Sequence, residues 1–455
     1  MTGDRPRAVL ISTYELGRQP FALASPAAWL ERAGVDVTCL DLSREPFRPD
    51  VAHAELVALH LPMHTAALLA LAVIRRIRRL NPDATLCCYG LYAPPNASVL
   101  RSLGVQHVLG GEFEADLVDL ALDPRRGTAD ALPPRSVTAG RPPHLTFVPP
   151  ARAGLPPLER YAALNRGAVR RVAGYTEASR GCRHLCRHCP VVPVYRGQLR
   201  VVPADVVVAD VEAQVRAGAE HVTFGDPDFF NAVGHAQRVV DGVARACPGT
   251  TYDVTIKVEH LLRHAAVLPR LRDTGCLVIT SAVETFDDDL LARLEKGHTR
   301  RDAERAVALC RAAGIALAPT FVPFTPWTTR EGYCDLLSAI ARLGLIDSVA
   351  PIQLAIRLLV PAESRLLGDD LRPHLDPYDP VRLVHPWRHP DPGMDRLAAR
   401  LARLVARRPT AGRREVFREV WQLAHGDRPG APPPLPNGPR RRRSEVPYLD
   451  EPWYC

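Results

Sequence analysis

The chain has 455 residues, 46% of them hydrophobic, and a formal charge of +8. That is enough for two or three domains with large cores, while the positive charge is arginine spread along the whole chain, so nucleic-acid binding is not expected. No apolar run approaches about 18 residues and the N-terminus lacks the layout of a signal peptide, so the sequence predicts no membrane span and a cytoplasmic setting, where thiols stay reduced.

Residues 6–123 alternate short apolar runs with amphipathic ones. RAVLIST, VDVTCLDL, ELVALHLP, TLCCYGLY and VQHVLGG read as strands. SPAAWLERAG (with Ser25 as N-cap), HTAALLALAVIRRIRRLNP, ASVLRSLG and EFEADLVDLAL read as helices. The alternation predicts an α/β domain with a doubly wound parallel sheet. Ligands of such sheets sit beyond the carboxyl ends of the strands, which makes 12–25, 60–65 and 89–96 the candidate ligand loops.

Residues 124–168 are proline-rich and read as an ordered linker, with LTFVPP adding to a sheet edge. From 169 to 365 about six further β/α units follow, which predicts a (β/α)6 partial TIM barrel whose chemistry lies at the strand carboxyl ends. Residues 366–430 read as a helical extension. Residues 431–455 read as a flexible basic tail with an aromatic, cysteine-ended tip, VPYLDEPWYC.

The first barrel strand leads into SRGCRHLCRHCP, which sets Cys182, Cys186 and Cys189 in a C-x3-C-x2-C rhythm. A structural zinc site takes four ligands, and a disulfide framework takes an even number of cysteines. Three clustered thiolates can hold three irons of a [4Fe–4S] cube and leave the fourth open to a small chelating molecule. A zinc site borrowing a distant ligand is the alternative.

This motif, at that place in a β/α barrel, resembles the radical SAM superfamily. The resemblance implies a [4Fe–4S] cluster and S-adenosylmethionine as cofactors, a reductant such as flavodoxin or ferredoxin as partner, and an unknown substrate. It implies electron transfer to the sulfonium and a 5′-deoxyadenosyl radical that takes a hydrogen atom from the substrate. His188 fills a slot that is commonly aromatic in the family. FGDPDF, with Gly225, Asp226 and Asp228, stands where the methionyl ammonium is bound. SAVET offers Glu284 to the ribose hydroxyls, with Ser281 beside it. Lys257, in TIKVEH, is one of two lysines in an arginine-rich chain and is assigned to catalysis, since a compact charge suits a tight pocket. The other, Lys296, sits with His298 in LEKGHT and is assigned to a turn.

The N-terminal domain resembles the cobalamin-binding domain that often precedes such barrels. It lacks the D-x-H-x-x-G segment, so cobalamin, and with it cobalamin-dependent methylation, is left open. A narrower resemblance, carried by GDPDFFN, TIKVEHLL, SAVET, EKGHT, PTFVPFTPWTT, IRLLVP and VPYLDEPWYC, is to the CUAEP/CCAEP-tail radical SAM (seleno)proteins. That pattern continues past Cys455 with cysteine or selenocysteine and Ala-Glu-Pro. Tyr448, Trp453 and Tyr454 read as rings of a docking segment, which would bring Cys455 to the barrel mouth for redox or catalytic work. The competing functional class is a non-catalytic Fe–S or corrinoid-binding sensor.

Overall fold

The computed structural model describes residues 5–123, 145–368, 370–408, 411–426 and 446–450. Five strands form the N-terminal sheet: β1 (Arg7–Ser12), β2 (Asp36–Asp41), β3 (Leu56–His60), β4 (Thr85–Tyr89) and β5 (His107–Leu109). All pair in parallel, in the order β2-β1-β3-β4-β5. Helices Phe21–Arg32 and Glu114–Leu122 cover one face, and His64–Leu80 and Ala97–Ser102 cover the other. With both faces covered, every residue of β3 is buried, as expected of a parallel sheet.

The first helix starts at Phe21, a turn earlier than an N-cap at Ser25 allows. Ser25 lies inside it, and its hydroxyl donates to Glu114 Oε1 at 2.7 Å. Pro26 has no N–H to give the Ala22 carbonyl. The Tyr89 hydroxyl donates there instead, at 2.8 Å, so the helix runs through the proline.

The second sheet is the barrel wall. Its strands are β6 (Ala163–Arg166), β7 (Val169–Thr176), β10 (His221–Phe224), β11 (Thr251–Thr255), β12 (Cys276–Glu284), β13 (Ala316–Phe321) and β14 (Tyr448–Leu449); a separate short pair, β8 (Ser179–Gly181) and β9 (Leu199–Val201), brackets the cysteine loop. The five strands β7, β10, β11, β12 and β13 run parallel. The expected sixth strand, 349–360, is reduced to a 3-10 turn, Pro351–Leu354, and a single bridge between Phe324 and Arg357. Gln353 explains how β13 tolerates this: its side-chain oxygen accepts the Phe321 N–H at 2.8 Å, where a neighbouring strand would supply a carbonyl.

The opposite edge is built by residues assigned to the linker. LTFVPP forms no strand, whereas Ala163–Arg166 pairs antiparallel with β7. β14, from the tail, pairs with β6 in turn, and the Arg413 guanidinium lies 4.7 Å from the Tyr448 ring centroid. The tip that carries Cys455 lies outside the described residues. Arg152, also from the linker, joins the two sheets. It donates to both oxygens of Asp210, to the Tyr175 carbonyl and to Gln19 Oε1. No helix among the described residues is long and apolar enough to cross a membrane.

Candidate active site

The three cysteines lie in a loop that β8 and β9 close at its base. Gly181, just before Cys182, has φ +76°, and a Cβ there would meet the Gln198 carbonyl oxygen at 2.3 Å and the Tyr195 ring at 2.5 Å. Only glycine fits this neck. Inside the loop the Cys189 N–H donates to the Cys186 carbonyl, and the Val192 N–H to that of Cys189. The Arg187 N–H donates to the Leu294 carbonyl, and its guanidinium binds Asp370. The loop is thus pinned to the far side of the barrel mouth. All three thiols are free of disulfides. Burial pushes Cys189 up to about 12 and raises Cys182. Asn231 holds its amide nitrogen 3.5 Å from Cys182 Sγ. Three thiols in one tied loop, with an amide donor and a buried cation (Lys296) close by, fit a cluster that takes three protein ligands.

Gly225 and the two aspartates follow β10. The Gly225 N–H donates to the Thr176 carbonyl, and the Tyr175 ring fills the space its side chain would need. Asp226 departs from the ligand-binding expectation. Its Oδ2 accepts the Ala178 N–H at 3.0 Å and its Oδ1 the Ser179 hydroxyl. Both oxygens serve the strand that precedes the cysteines, so Asp226 braces the loop. Burial raises its pKa, the two donors only partly offset this, and it lies at about 7.

Asp228 faces another way. Its Oδ1 accepts from the Phe230 and Lys257 N–H groups at 3.2 and 3.4 Å. Its Oδ2 lies 2.7 Å from His260 Nδ1 and 3.4 Å from His184 Nε2. Burial raises this carboxyl, but the two imidazoles outweigh it and hold it at about 2. Lys257 Nζ lies 3.0 Å from His184 Nδ1 and 3.3 Å from Glu259 Oε2.

Glu284 ends β12. A register shift between Ala282 and Glu284 and a left-handed φ of +66° re-aim the side chain, a conformation that costs a non-glycine residue about 1–3 kcal/mol. Its Oε1 accepts from Lys296 Nζ and pairs with His188 Nε2, each at 3.0 Å. Burial raises the carboxyl, but Lys296 and His188 overcome this and hold it well below the usual range. Ser281, three residues back on the same strand, has a buried hydroxyl with no hydrogen-bond partner among the described residues.

Residues 176–335, which contain the whole of this constellation, match the sequence model of the radical SAM superfamily. The chain carries a radical SAM domain. Such a domain uses a [4Fe–4S] cluster and S-adenosylmethionine, the cofactor pair expected from the cysteine motif. Among curated relatives, the chain is 25% identical over 243 residues to the tRNA-2-methylthio-N(6)-dimethylallyladenosine synthase of Methylococcus capsulatus, covering 50% of this chain and 51% of that one. It is 29% identical over 199 residues to the Chlorobaculum tepidum enzyme of the same name, covering 41% and 44%. The chain therefore spans about half the length of these relatives.

Two solved structures share the architecture beyond the radical SAM domain. TsrM of Kitasatospora setae, a radical S-adenosylmethionine methyltransferase with tryptophan and aza-SAM bound, superposes with a TM-score of 0.58 at 20% identity, covering 74% of this chain and 71% of that one. OxsB, a cobalamin-dependent S-adenosylmethionine radical enzyme with aqua-cobalamin bound, gives a TM-score of 0.66 at 12% identity, covering 89% and 67%. At these identities the likeness is one of fold: a doubly wound sheet ahead of a partial barrel.

Within the radical SAM domain, three residues of the site escape the sequence reading. Lys296 belongs to the Glu284 ion pair and not to a mere turn. His184 and His260 join Asp228. The scarcity of lysine marked Lys296 as it marked Lys257. Nothing local marks the two histidines, which β10, β11 and the cysteine loop bring together.

Proposed function

We propose that this radical SAM enzyme binds its cluster through Cys182, Cys186 and Cys189 and cleaves S-adenosylmethionine reductively to start radical chemistry on a substrate held at the barrel mouth. The observation that carries the reading is the link from His188, between two of the cysteines, to Glu284 at the end of β12. It ties the cluster loop to the strand end that would take the ribose. When bound, the cofactor pair supplies the one-electron cleavage and the 5′-deoxyadenosyl radical. The chain's own part is placement. Asp226 and Gly181 fix the loop, and Lys296 keeps Glu284 charged and ready to accept hydroxyl donors. Ser281 adds a buried hydroxyl, and Gly225 makes room for the Tyr175 ring beside β10.

The reductant partner, a flavodoxin or ferredoxin, follows from the reaction class. The tRNA substrate named for the curated relatives is not carried over, because the match covers only half of each. The test is anaerobic reconstitution with iron, sulfide and S-adenosylmethionine under a strong reductant. Formation of 5′-deoxyadenosine supports the proposal. A fully loaded cluster that yields none would leave a sensor, and zinc in place of iron and sulfide would leave a zinc protein.

A second reading, that the N-terminal domain seats a corrinoid, rests on its switch point. β1 and β3 are adjacent where the strand order reverses, the place where doubly wound sheets bind ligands. There, Ser12 Oγ is buried without a hydrogen-bond partner among the described residues, and His60 Nδ1 and Glu15 Oε2, 3.6 Å apart, make no hydrogen bond either. Such orphaned groups fit a polar ligand. Corrinoid absorbance that survives gel filtration after incubation with hydroxocobalamin supports this reading, and its loss overturns it.

A further inference from the structure

His184, Asp228 and His260 come from three different elements: the cysteine loop, the turn after β10 and the helix Val258–Arg263. Their ligand atoms all lie within 4.8 Å of one another. Asp228 and His260 are buried and His184 nearly so. The atoms concerned are His184 Nε2, Asp228 Oδ2 and His260 Nδ1, and none completes a hydrogen bond of good geometry. Asp228 Oδ2 lies 2.7 Å from His260 Nδ1, yet the two are not aligned as donor and acceptor. Three buried ligand atoms this close together could all reach one ion. Buried polar atoms left in that state call for an explanation.

We propose that this triad binds a divalent transition-metal ion, zinc or iron(II), at a mononuclear site separate from the cysteine cluster. Two imidazoles and one carboxylate suit these ions and leave coordination positions for an exogenous oxygen, nitrogen or sulfur donor. The surroundings are those of an outer shell. Asp228 Oδ1 is held by the Phe230 and Lys257 N–H groups, which fixes Oδ2 in place. Lys257 Nζ lies 3.0 Å from His184 Nδ1 and 3.3 Å from Glu259 Oε2; an ion on Nε2 would put the ring's proton on Nδ1, and the ammonium would then turn to Glu259. Binding releases a proton from each ring nitrogen that carries one. His184 belongs to the cysteine loop, so a bound ion would hold a chelating group of the substrate near the radical chemistry. That last step rests on the radical SAM reading; the metal site itself does not.

The test uses the reconstituted holoenzyme. Zinc, iron and acid-labile sulfide are measured together, and Zn(II) and Fe(II) uptake is followed by equilibrium dialysis. Wild type is expected to hold metal beyond that accounted for by sulfide. Asp228→Asn and His260→Gln should keep the cluster but weaken uptake by more than about 100-fold. Cluster-loaded wild type that takes up neither ion overturns the proposal. So do Asp228→Asn and His260→Gln variants that bind as tightly as wild type; the triad would then be a hydrogen-bonded relay. Failure of the cluster to form would count against the radical SAM reading, while the part of Zn(II) uptake lost in Asp228→Asn, with all three cysteines present, would still report on the triad.

Discussion

Lys296 Nζ lies 3.0 Å from Glu284 Oε1 in an ion pair almost wholly closed to water. Burial pulls the lysine pKa down and the carboxylate pulls it up by more, so both groups stay charged. Breaking a buried pair from one side leaves a charge uncompensated, at a cost of about 3–5 kcal/mol. Lys296→Met should therefore lower the urea midpoint sharply, and adding Glu284→Gln should recover most of the loss. A single variant as stable as wild type would mean that the two charges are not coupled. Glu284→Gln alone should leave the cluster in place and weaken S-adenosylmethionine binding about ten- to a hundredfold, as expected for loss of hydrogen bonds to a charged acceptor. An unchanged Kd would assign the ribose contact to another residue.

Changing Cys182, Cys186 or Cys189 to alanine should each abolish the cluster. The remaining cysteines among the described residues, apart from Cys334, are buried in hydrophobic cores, so no spare thiolate is at hand. Full iron and sulfide with normal cofactor cleavage in any one variant would refute the ligand assignment.

Much of this architecture was legible because the signals were local. Apolar runs such as RAVLIST and TLCCYGLY became β1 and β4, and HTAALLALAVIRRIRRL became a helix with the bounds its periodicity implied. Where the reading failed, distant groups decided. The 349–360 run has the apolar content of a strand, but Gln353 caps β13 with its side chain and the run turns away. The first helix passes through Pro26 because Tyr89, far along the chain, supplies the missing donor. Asp226 looked like a ligand because it sits at a strand end. Its role as a brace depends on Ala178 and Ser179, which the topology of β7 and β10 brings to it.

Gly181→Ala tests the neck of the cysteine loop. The left-handed backbone alone costs an alanine about 1–2 kcal/mol, and its Cβ would meet a backbone carbonyl, which cannot swing aside as a side chain can. The variant should keep its fold by circular dichroism but take up markedly less iron and sulfide, although every cysteine is present. Normal cluster content at normal stability would show that the neck yields.

Asp226 should leave a pH signature. It holds its proton to about pH 7 in the fold, against 3.8 unfolded. Between those values the folded state binds more protons than the unfolded one, so stability falls as pH rises. Asp226→Asn mimics the protonated form and does not titrate. Its urea midpoint relative to wild type should rise between about pH 5.5 and pH 7.5. A difference that stays flat, or that falls, would mean the carboxylate is ionised throughout and stabilised by its two donors.

Arg180 joins the domains two residues ahead of the first cysteine. Its guanidinium donates to both oxygens of Glu114 at 2.6 and 3.0 Å and to Glu177 Oε2 at 3.0 Å, with Glu112 Oε2 at 3.7 Å. The rings of Phe113 and Phe147 flank it. Glu112 and Glu114 belong to the N-terminal domain, and Glu177 and Arg180 to the barrel. Burial opposes the arginine's charge, but the three carboxylates outweigh it and raise its pKa. Arg180→Met would leave acidic groups buried without their cation and should cost about 3–5 kcal/mol. Lysine should restore little, because it cannot make the two-pronged contact with Glu114. Since β8 carries Arg180 straight into Cys182, the same variant should lose cluster iron as well as stability. Pairing it with Glu114→Gln should recover stability before it recovers iron, because neutralising the acid removes the stranded charge but does not rebuild the clamp. If Arg180→Met loses stability yet keeps a full cluster, the N-terminal domain does not help to position the cysteine loop.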